Sequence, residues 1–314
     1  MLSICIPTYN RRERIEKNLN MLSKYIYNNF LNDKLEIIVS NNNSQDDTKE
    51  FLDRFLKENF KLNLKFYNQE KNLEIQKNQL FVVAQSSYDY FMWLSDDDFI
   101  EEEYLLKVLD IISSNKEELI SIIPSYQHIL PNGKLLNIGR DFNKKNRLYT
   151  KGFKTCLFHS WKAHQMSGLV FSKKILKVFN ERGIDNLYPF IFFSSYSQIK
   201  GKFYYITEHP IKITANVKKY WTYENDGLIN GIMENFKKLY EVSYLKRIML
   251  EVYFLFIQRG RYLNYRFQIY KVYKELIFSK NITIITKILL APIMGLALFY
   301  NLGKKLLRYF GEKK

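Results

Sequence analysis

Three consecutive carboxylates, Asp96, Asp97 and Asp98, follow the apolar run Tyr90-Phe91-Met92-Trp93-Leu94 with only Ser95 between. Adjacent carboxylates repel one another in a folded site unless water, hydrogen bonds or a cation offsets the charge. Hard oxygen ligands of this kind suit Mg²⁺ or Mn²⁺. A solvated turn or a helix N-cap is the competing use of the same residues, because Phe99 onward, with Leu105, Leu106 and Leu109, has the spacing of a helix. Two other polar clusters close apolar runs in the same way: Thr8-Tyr9-Asn10 and Asn41-Asn42-Asn43.

The elements that must position these clusters follow from periodicity. Ser3 to Pro7, Leu35 to Ser40, Leu64 to Tyr67 and Tyr88 to Leu94 read as strands. Between them lie helical patterns: one carries Ile15, Leu19, Leu22 and Ile26 with Asn10 as its expected cap, one carries Phe51 and Phe55 behind an Asp or Thr cap, and one spans 78–84. Strands alternating with helices predict an α/β domain with parallel strands. In such open sheets ligands bind beyond the carboxyl ends of the strands. Thr8, Tyr9, Asn10, Asn41, Asn42 and Asp96 to Asp98 all fall at that edge.

The segments SICIPTYNRR, LEIIVSNNNSQDDT and FMWLSDDD, in this order and spacing, resemble family 2 glycosyltransferases with a GT-A fold. The resemblance is strongest over residues 3 to about 110 and continues to about 210, where Met166 to Phe171 looks like a later strand of that fold. It implies a Rossmann-like nucleotide-sugar-binding domain over 1–220, with 221–314 as a helical extension. It also implies a nucleotide diphosphate sugar donor, UDP first, with Mn²⁺ or Mg²⁺ bridging the phosphates to stabilise the leaving diphosphate. In the matching positions Asp97 holds the metal, Asp96 lies near the ribose and Asp98 supports the loop. Pro7, Thr8 and Tyr9 pack on the base, and Asn42 reads it. Among subgroups the resemblance is to bacterial enzymes that build lipopolysaccharide, capsule or lipid-linked oligosaccharides, so the expected acceptor is a glycan or lipid-linked sugar.

The chain departs from the family pattern at three places. Asn41 and Asn42 stand where aspartates are usual, which keeps hydrogen-bonding capacity but loses charge. Glu74 replaces a Gly in Asn72-Leu73-Glu74, a stretch followed by Asn78. The Glu-Asp pair that supplies the base in inverting members is missing, and counting back from Gly201 gives Pro189 and Phe190. Asp185 is the nearest carboxylate and the expected base, with His159 and His164 as further candidates. Trp161, Lys162 and Gln165 are candidates for the sugar pocket. Inverting stereochemistry is implied by the family alone.

Hydrophobic residues make up 46% of the 314 and aromatics 16%, which excludes a disordered chain. Forty-eight Lys and Arg against 32 Asp and Glu give a net charge of +16, favouring anionic partners. No helix-turn-helix, zinc-finger or RNA-binding signature is present, so no nucleic-acid partner is expected. No Gly-x-Gly-x-x-Gly follows the first strand, which argues against a dinucleotide-dependent oxidoreductase. A catalytically inactive relative acting as a glycan-binding scaffold remains as the alternative. Cys5 and Cys156 form no metal or disulfide spacing, and the chain starts directly in a strand-like segment without a signal-peptide pattern. From Ile282 to Tyr300 the chain is apolar but interrupted by Lys287 and Pro292, short of the ~20 residues that span a bilayer. The tail 301–314 adds Lys304, Lys305, Arg308, Lys313 and Lys314. Together these predict a cytoplasmic protein held peripherally on the inner face of the cell membrane.

Overall fold

The protein was analysed as a computed structural model that describes residues 1–115, 120–215, 228–259, 269–293 and 295–296. It divides into two compact units, Met1–Gly183 with Phe193–Lys218, and Ile184–Phe192 with Lys219–Lys314. The expected boundary near 220 lies outside the described residues, as do the basic tail 301–314 and the end of the apolar stretch before it.

The first unit is built on one mixed sheet. Strands β1 (Leu2–Thr8), β2 (Leu35–Asn41), β3 (Leu64–Asn68) and β4 (Tyr90–Trp93) alternate with helices α1 (Arg12–Asn28), α2 (Thr48–Glu58) and α3 (Ile75–Ala84). Four more strands complete the path: β5 (Asp98–Phe99), β6 (Ile120–Ile129), β9 (Leu169–Ser172) and β10 (Lys202–Thr214), while β7 (Leu135–Arg140) and β8 (Arg147–Tyr149) pair alongside. The order is β3-β2-β1-β4-β9-β6-β10-β5. β1 pairs in parallel with β2 and with β4, and β2 with β3, so the carboxyl ends of all four point the same way. β9 then runs antiparallel to β4, with Leu169 opposite Trp93. That reversal brings the amino end of β9 to the carboxyl end of β4.

Both faces of β1 and β2 are covered, which explains their nearly unbroken apolar composition. Leu2, Ile4 and Ile6 pack with Ile15, Leu19, Leu22 and Ile26 of α1 and with Tyr104, Leu105 and Val108 of α4 (Glu102–Ser114). The rings of Phe91, Trp93, Phe171, Phe179 and Phe193 form an aromatic layer with centroids 5.0–6.2 Å apart, and the Trp93 indole N–H donates to the Gln79 carbonyl at 3.0 Å. Burying an indole needs such a partner.

Two local expectations are corrected, the cap of α1 and the start of the helix after the carboxylates, and the cap of α2 is specified. Asn10 does not cap α1: it sits at φ +51, and α1 starts at Arg12 behind Arg11 with no side-chain cap. Its backbone N–H donates to Ser44 Oγ at 2.8 Å and its Oδ1 accepts from Gln45 N at 2.7 Å. An Asn tolerates the left-handed turn, and its amide is used to join the loops after β1 and β2. At α2 the aspartate that accepts from the Thr48 N–H, at 3.2 Å, is Asp46, one residue before the cap position. The helix after the carboxylates begins at Glu102, because Asp98 and Phe99 are drawn into antiparallel pairing with Ile213 and Lys212 of β10.

In the second unit, α8 (Leu228–Lys237), α9 (Tyr244–Ile257) and a helix at Ile269–Phe278 precede a helical stretch at 284–293. Glu251 of α9 is fully buried, pairs with Arg247 at 2.8 Å and accepts from the Thr283 backbone and hydroxyl at 3.0 and 2.7 Å. A buried carboxylate with these partners fixes the start of the last helical stretch.

Gly168, just before β9, has φ +79, and a Cβ there would stand 2.6 Å from Ile211 Cδ1 and 2.9 Å from Pro124 Cγ. Its N–H donates to the Trp93 carbonyl at 2.7 Å and its carbonyl accepts from Tyr104 Oη at 2.5 Å, so the segment has no room to retreat. Gly168→Ala is therefore expected to destabilise the protein by about 3 kcal/mol, read as a lowered urea midpoint with unchanged m-value.

Candidate active site

The carboxylates emerge from β4 into a cradle made by four other elements. Asp96 and Asp98 are 2% and 4% exposed, and Asp97 is the least enclosed of the three. Asp96 Oδ2 accepts from the Thr8 hydroxyl at 2.7 Å, which ties the end of β1 to the end of β4. One nitrogen of Arg11, Nη1, stands 2.8 Å from Asp96 Oδ1 and 3.0 Å from Asp97 Oδ2. Arg14 approaches Asp97 Oδ2 at 3.6 Å. Asp97 Oδ1 accepts from the Ser95 hydroxyl at 2.5 Å.

Asp98 takes a different set of partners, and no guanidinium of the described residues pairs with it. Ser167 Oγ donates to it at 2.5 Å, the Thr214 N–H at 3.4 Å and Gln165 Nε2 at 3.4 Å. Asn18, on the buried face of α1, donates from one amide to the carbonyls of Ser95 and Asp98 at 3.1 and 2.8 Å. The Thr214 hydroxyl donates to the Asp97 carbonyl at 2.6 Å. Burial pushes Asp96 up to about 6, opposed by Arg11. Burial, reinforced by the Asp97 charge, pushes Asp98 up to about 8. Asp98 thus behaves as a loop anchor, while Asp96 and Asp97 present the charge.

The two asparagine motifs also meet. Asn42 is buried; its amide donates to Asn72 Oδ1 at 3.0 Å and accepts from the Leu73 N–H at 2.8 Å. Asn41 donates to Asn68 Oδ1 at 2.7 Å, and Asn78 exchanges bonds with the hydroxyl and carbonyl of Ser40 at 2.6 and 3.2 Å. Tyr9 is half-buried on the loop after β1, and Pro7 is paired with Ser40 across the strand ends. Thr8, Asp96 and Asp97 are therefore in one bonded cluster, and Asn42 lies in the neighbouring one.

The remaining candidates are dispersed. Asp185 is an exposed residue of the second unit, between α6 (Lys174–Arg182) and α7 (Pro189–Lys200). His159, the last residue of α5 (Phe153–His159), packs on Tyr149 and Phe203 with ring centroids 4.2 and 5.5 Å away, and burial, with the nearby Lys162 charge, pushes it down to about 4, which keeps the ring neutral at pH 7. His164 stacks on Trp161. Lys162 is buried and bonded to Asp141 at 2.6 Å; burial lowers it to about 8 against the pull of that carboxylate. Of the three sugar-pocket candidates, Gln165 is the one bonded to the carboxylate cluster.

Sequence reasoning missed Arg11, Arg14, Asn18, Ser167 and Thr214. Asn18 carried a signal, a polar residue inside the apolar stripe of α1, and so did the arginines, which lie at the positive end of a helix dipole where cations are disfavoured. Ser167 and Thr214 carried none.

Asp96 and Asp97 offer hard oxygen donors of the kind that Mg²⁺ or Mn²⁺ takes, and their present counter-ion is the Arg11 guanidinium between them. Among the described residues Glu101, Glu103 and His209 also converge within 4.8 Å. Lys212 Nζ lies 2.9 Å from Glu101 there, so that group carries its own counter-ion.

A family model, Glycosyl transferase family 2, matches residues 3–179. A stretch of 105 residues, 33% of this chain, is 31% identical to 30% of the abequosyltransferase RfbV of Salmonella typhimurium strain LT2. A stretch of 147 residues, 46% of this chain, is 31% identical to 42% of the GalNAc(5)-diNAcBac-PP-undecaprenol beta-1,3-glucosyltransferase of Campylobacter jejuni. The match spans less than half the length of either relative. S. aureus TarS (residues 1–349), solved in complex with UDP-GlcNAc, is similar with a TM-score of 0.70 at 16% identity, over 96% of this chain and 88% of that chain. The mannosyltransferase PcManGT of Pyrobaculum calidifontis, solved with GDP-Man and Mn²⁺, is similar with a TM-score of 0.53 at 15% identity, over 95% and 80%. These likenesses establish the GT-A fold.

Glu74, where the family pattern has Gly, sits at φ +67 and ψ 163, a region that residues with a Cβ rarely occupy. It is exposed, so the side chain gains little in return. Glu74→Gly should raise stability by about 1 kcal/mol, measured by thermal or urea unfolding, despite the added backbone entropy of glycine in the unfolded chain.

Proposed function

The chain belongs to glycosyl transferase family 2, and we propose that it transfers a single sugar, a hexose or amino sugar, from a nucleoside diphosphate donor to a growing bacterial surface glycan or its lipid-linked precursor. The observation that carries this is the bonded cluster of Thr8, Asp96, Arg11 and Asp97, held where the carboxyl ends of β1 and β4 meet. A buried carboxylate, a partly exposed one beside it and two arginines at the carboxyl ends of parallel strands stand where open α/β sheets bind their ligands, and they suit a charged one.

Asp97 would hold a divalent cation, Mn²⁺ or Mg²⁺, with Asp96 beside it. That ion would supply charge stabilisation to the departing diphosphate. Asp98 keeps the loop in place through Ser167 and Thr214. Pro7, Thr8, Tyr9 and Asn42 would form the nucleoside side of the pocket: the half-buried Tyr9 offers a ring face for stacking, and Asn42, pinned by Leu73 and Asn72, retains one amide hydrogen and one lone pair. UDP is the first nucleotide to test.

For the acceptor step we assign Asp185 as the base. Exposure to solvent and residue type support it, whereas the neutral, aromatic-packed His159 is a weak base. In the inverting scheme implied by the family, Asp185 would take the acceptor hydroxyl proton as the sugar–phosphate bond breaks.

Membrane apposition is supported by the second unit. Leu245, Met249 and Phe256 of α9 are exposed, and so are Ile284, Ile285, Ile288, Leu289, Ile293 and Leu296 of the last helical stretch. Among the described residues no helix is long and apolar enough to cross a membrane. A surface of this kind, followed in sequence by a basic tail, suits peripheral contact with an anionic leaflet at the site of a lipid-linked acceptor.

Binding of a panel of nucleoside diphosphate sugars, measured with Mn²⁺ and with chelator, should reveal one donor whose affinity falls about 100-fold on chelation or in Asp97→Asn. If no donor binds under either condition, the inactive glycan-binding scaffold becomes the better reading. Membrane contact is checked by sedimentation with anionic vesicles: Ile288→Glu with Ile293→Glu should cut the bound fraction at least tenfold, since both side chains are exposed and the fold has no need of them. Equal sedimentation of the variant would remove this surface from the account.

A further inference from the structure

We propose that Arg140, Lys144 and Lys162, beside the ring of Trp161, form a binding site for an oxyanion, a phosphoryl or carboxylate group, carried by the acceptor sugar. The inference rests on the transferase reading above and names the chemical class of its acceptor.

Arg140 is 9% exposed, and among the described residues its partners are neutral. Its guanidinium donates to the carbonyls of Lys162 and Pro124 at 2.5 and 2.9 Å and lies over the rings of Tyr126 and Trp161, 5.0 and 5.8 Å from their centroids. Its Nε is buried without an acceptor. Lys162, 7% exposed, carries three ammonium hydrogens. One goes to Asp141 Oδ2 at 2.6 Å, and the ammonium otherwise faces Tyr205 and Trp161, 4.3 and 5.0 Å from their centroids. Asp141 is shared further, with Lys144 Nζ 2.7 Å from its Oδ1 and the Tyr205 hydroxyl 2.7 Å from its Oδ2. A single carboxylate therefore serves three cations, two of them nearly out of water. Burial lowers Lys162 to about 8 and the Arg140 charge acts in the same direction, against the pull of Asp141. Enclosing cations with so little anion is costly, and a bound oxyanion would complete the cluster with charge-assisted hydrogen bonds.

The cluster is open and lies on the acceptor side. The Lys144 side chain is 65% exposed and Trp161 is half-buried, so a ligand can enter from solvent. β6 runs antiparallel to β9, and β9 to β4, so β4 and β6 end at the same edge of the sheet. Tyr126, in the second half of β6, is paired with Arg140. Gln165, three residues after Lys162, is bonded to Asp98. The strand order β2-β1-β4-β9-β6 sets Asn42 and Tyr9 first, the carboxylates next and the cationic cluster beyond them. A donor whose base lies on the first and whose diphosphate lies on the second directs its sugar toward the third.

Titration of the full chain with glucose, glucose 1-phosphate and glucuronic acid, followed by ligand-observed NMR with and without UDP, tests this. At least one of the two acidic sugars should bind about tenfold tighter than glucose, and which one does so tells phosphoryl from carboxylate. Lys144→Gln should weaken that binding about fivefold and Asp141→Asn, which removes the resident anion, should tighten it about fivefold, with glucose unchanged in both. Opposite shifts separate an oxyanion site from general damage, which would weaken both. Acidic sugars that bind no better than glucose would overturn the proposal and leave the transferase reading standing. Binding that UDP abolishes, or that Asp97→Asn alters while Lys144→Gln does not, would assign it to the donor cluster and overturn the proposal as well. The expected shifts in a protein that binds no nucleotide sugar would support the oxyanion site and count against the transferase reading. If Asp141→Asn does not fold, Lys144→Gln, a change at an exposed side chain, decides alone.

Discussion

The structure depends on a single electrostatic constraint: negative charge is held nearly out of water at the end of a buried strand. Asp96 and Asp98 lie almost fully enclosed on either side of Asp97. Removing carboxylates from water is costly unless each lone pair finds a partner, and here each one recruits a different element. Thr8 comes from β1, Arg11 and Arg14 from the start of α1, Ser167 from the turn into β9, and Thr214 from the end of β10. The site is thereby the place where the sheet's separate strands are tied together.

The sheet supplies the geometry for this. Parallel pairing of β1 with β2 and β4 puts three loop clusters at one edge. The reversal at β9 then adds a loop that a purely parallel sheet would have sent to the opposite edge. Gly168 makes the reversal possible, since its positive φ and lack of a side chain let the chain pass Ile211 and Pro124. The two-residue strand β5 performs a related task, fixing Asp98 against β10 directly after the loop. A second polar cluster follows a similar rule: Asp141, at φ +56, accepts from Lys162, Lys144 and Tyr205. Burial alone would raise its pKa, but these donors hold its carboxyl well below the usual range. Lys162, a sugar-pocket residue by sequence, is held in place by that bond.

The second unit shows how little of a helical appendage is set by composition. Its apolar and basic residues alternate at helical spacing, yet the decisive residue is Glu251, a buried carboxylate whose partners are Arg247 and Thr283. On the same unit a row of isoleucines and leucines is left exposed along the last helical stretch. Apolar side chains of that size are thus left outside while a glutamate is taken inside.

The amino-acid sequence by itself determined the alternation of strands and helices over the first hundred residues, because hydrophobic period and turn residues are local properties. It also determined which polar clusters close those strands, since a carboxylate run after an apolar run is visible without coordinates. The family resemblance rested on the same three segments. Tertiary structure alone decided the division of labour among three identical aspartates, because burial and partner identity depend on elements up to 117 residues away, such as Thr214 bonded to Asp97. It decided that Asn10 links loops instead of capping a helix, and that Phe99 enters a strand, because a local preference worth about 1 kcal/mol yields to pairing that only the assembled sheet offers. It also set Arg11 between Asp96 and Asp97, where a charge disfavoured at its own helix terminus is stabilised by carboxylates from a distant strand.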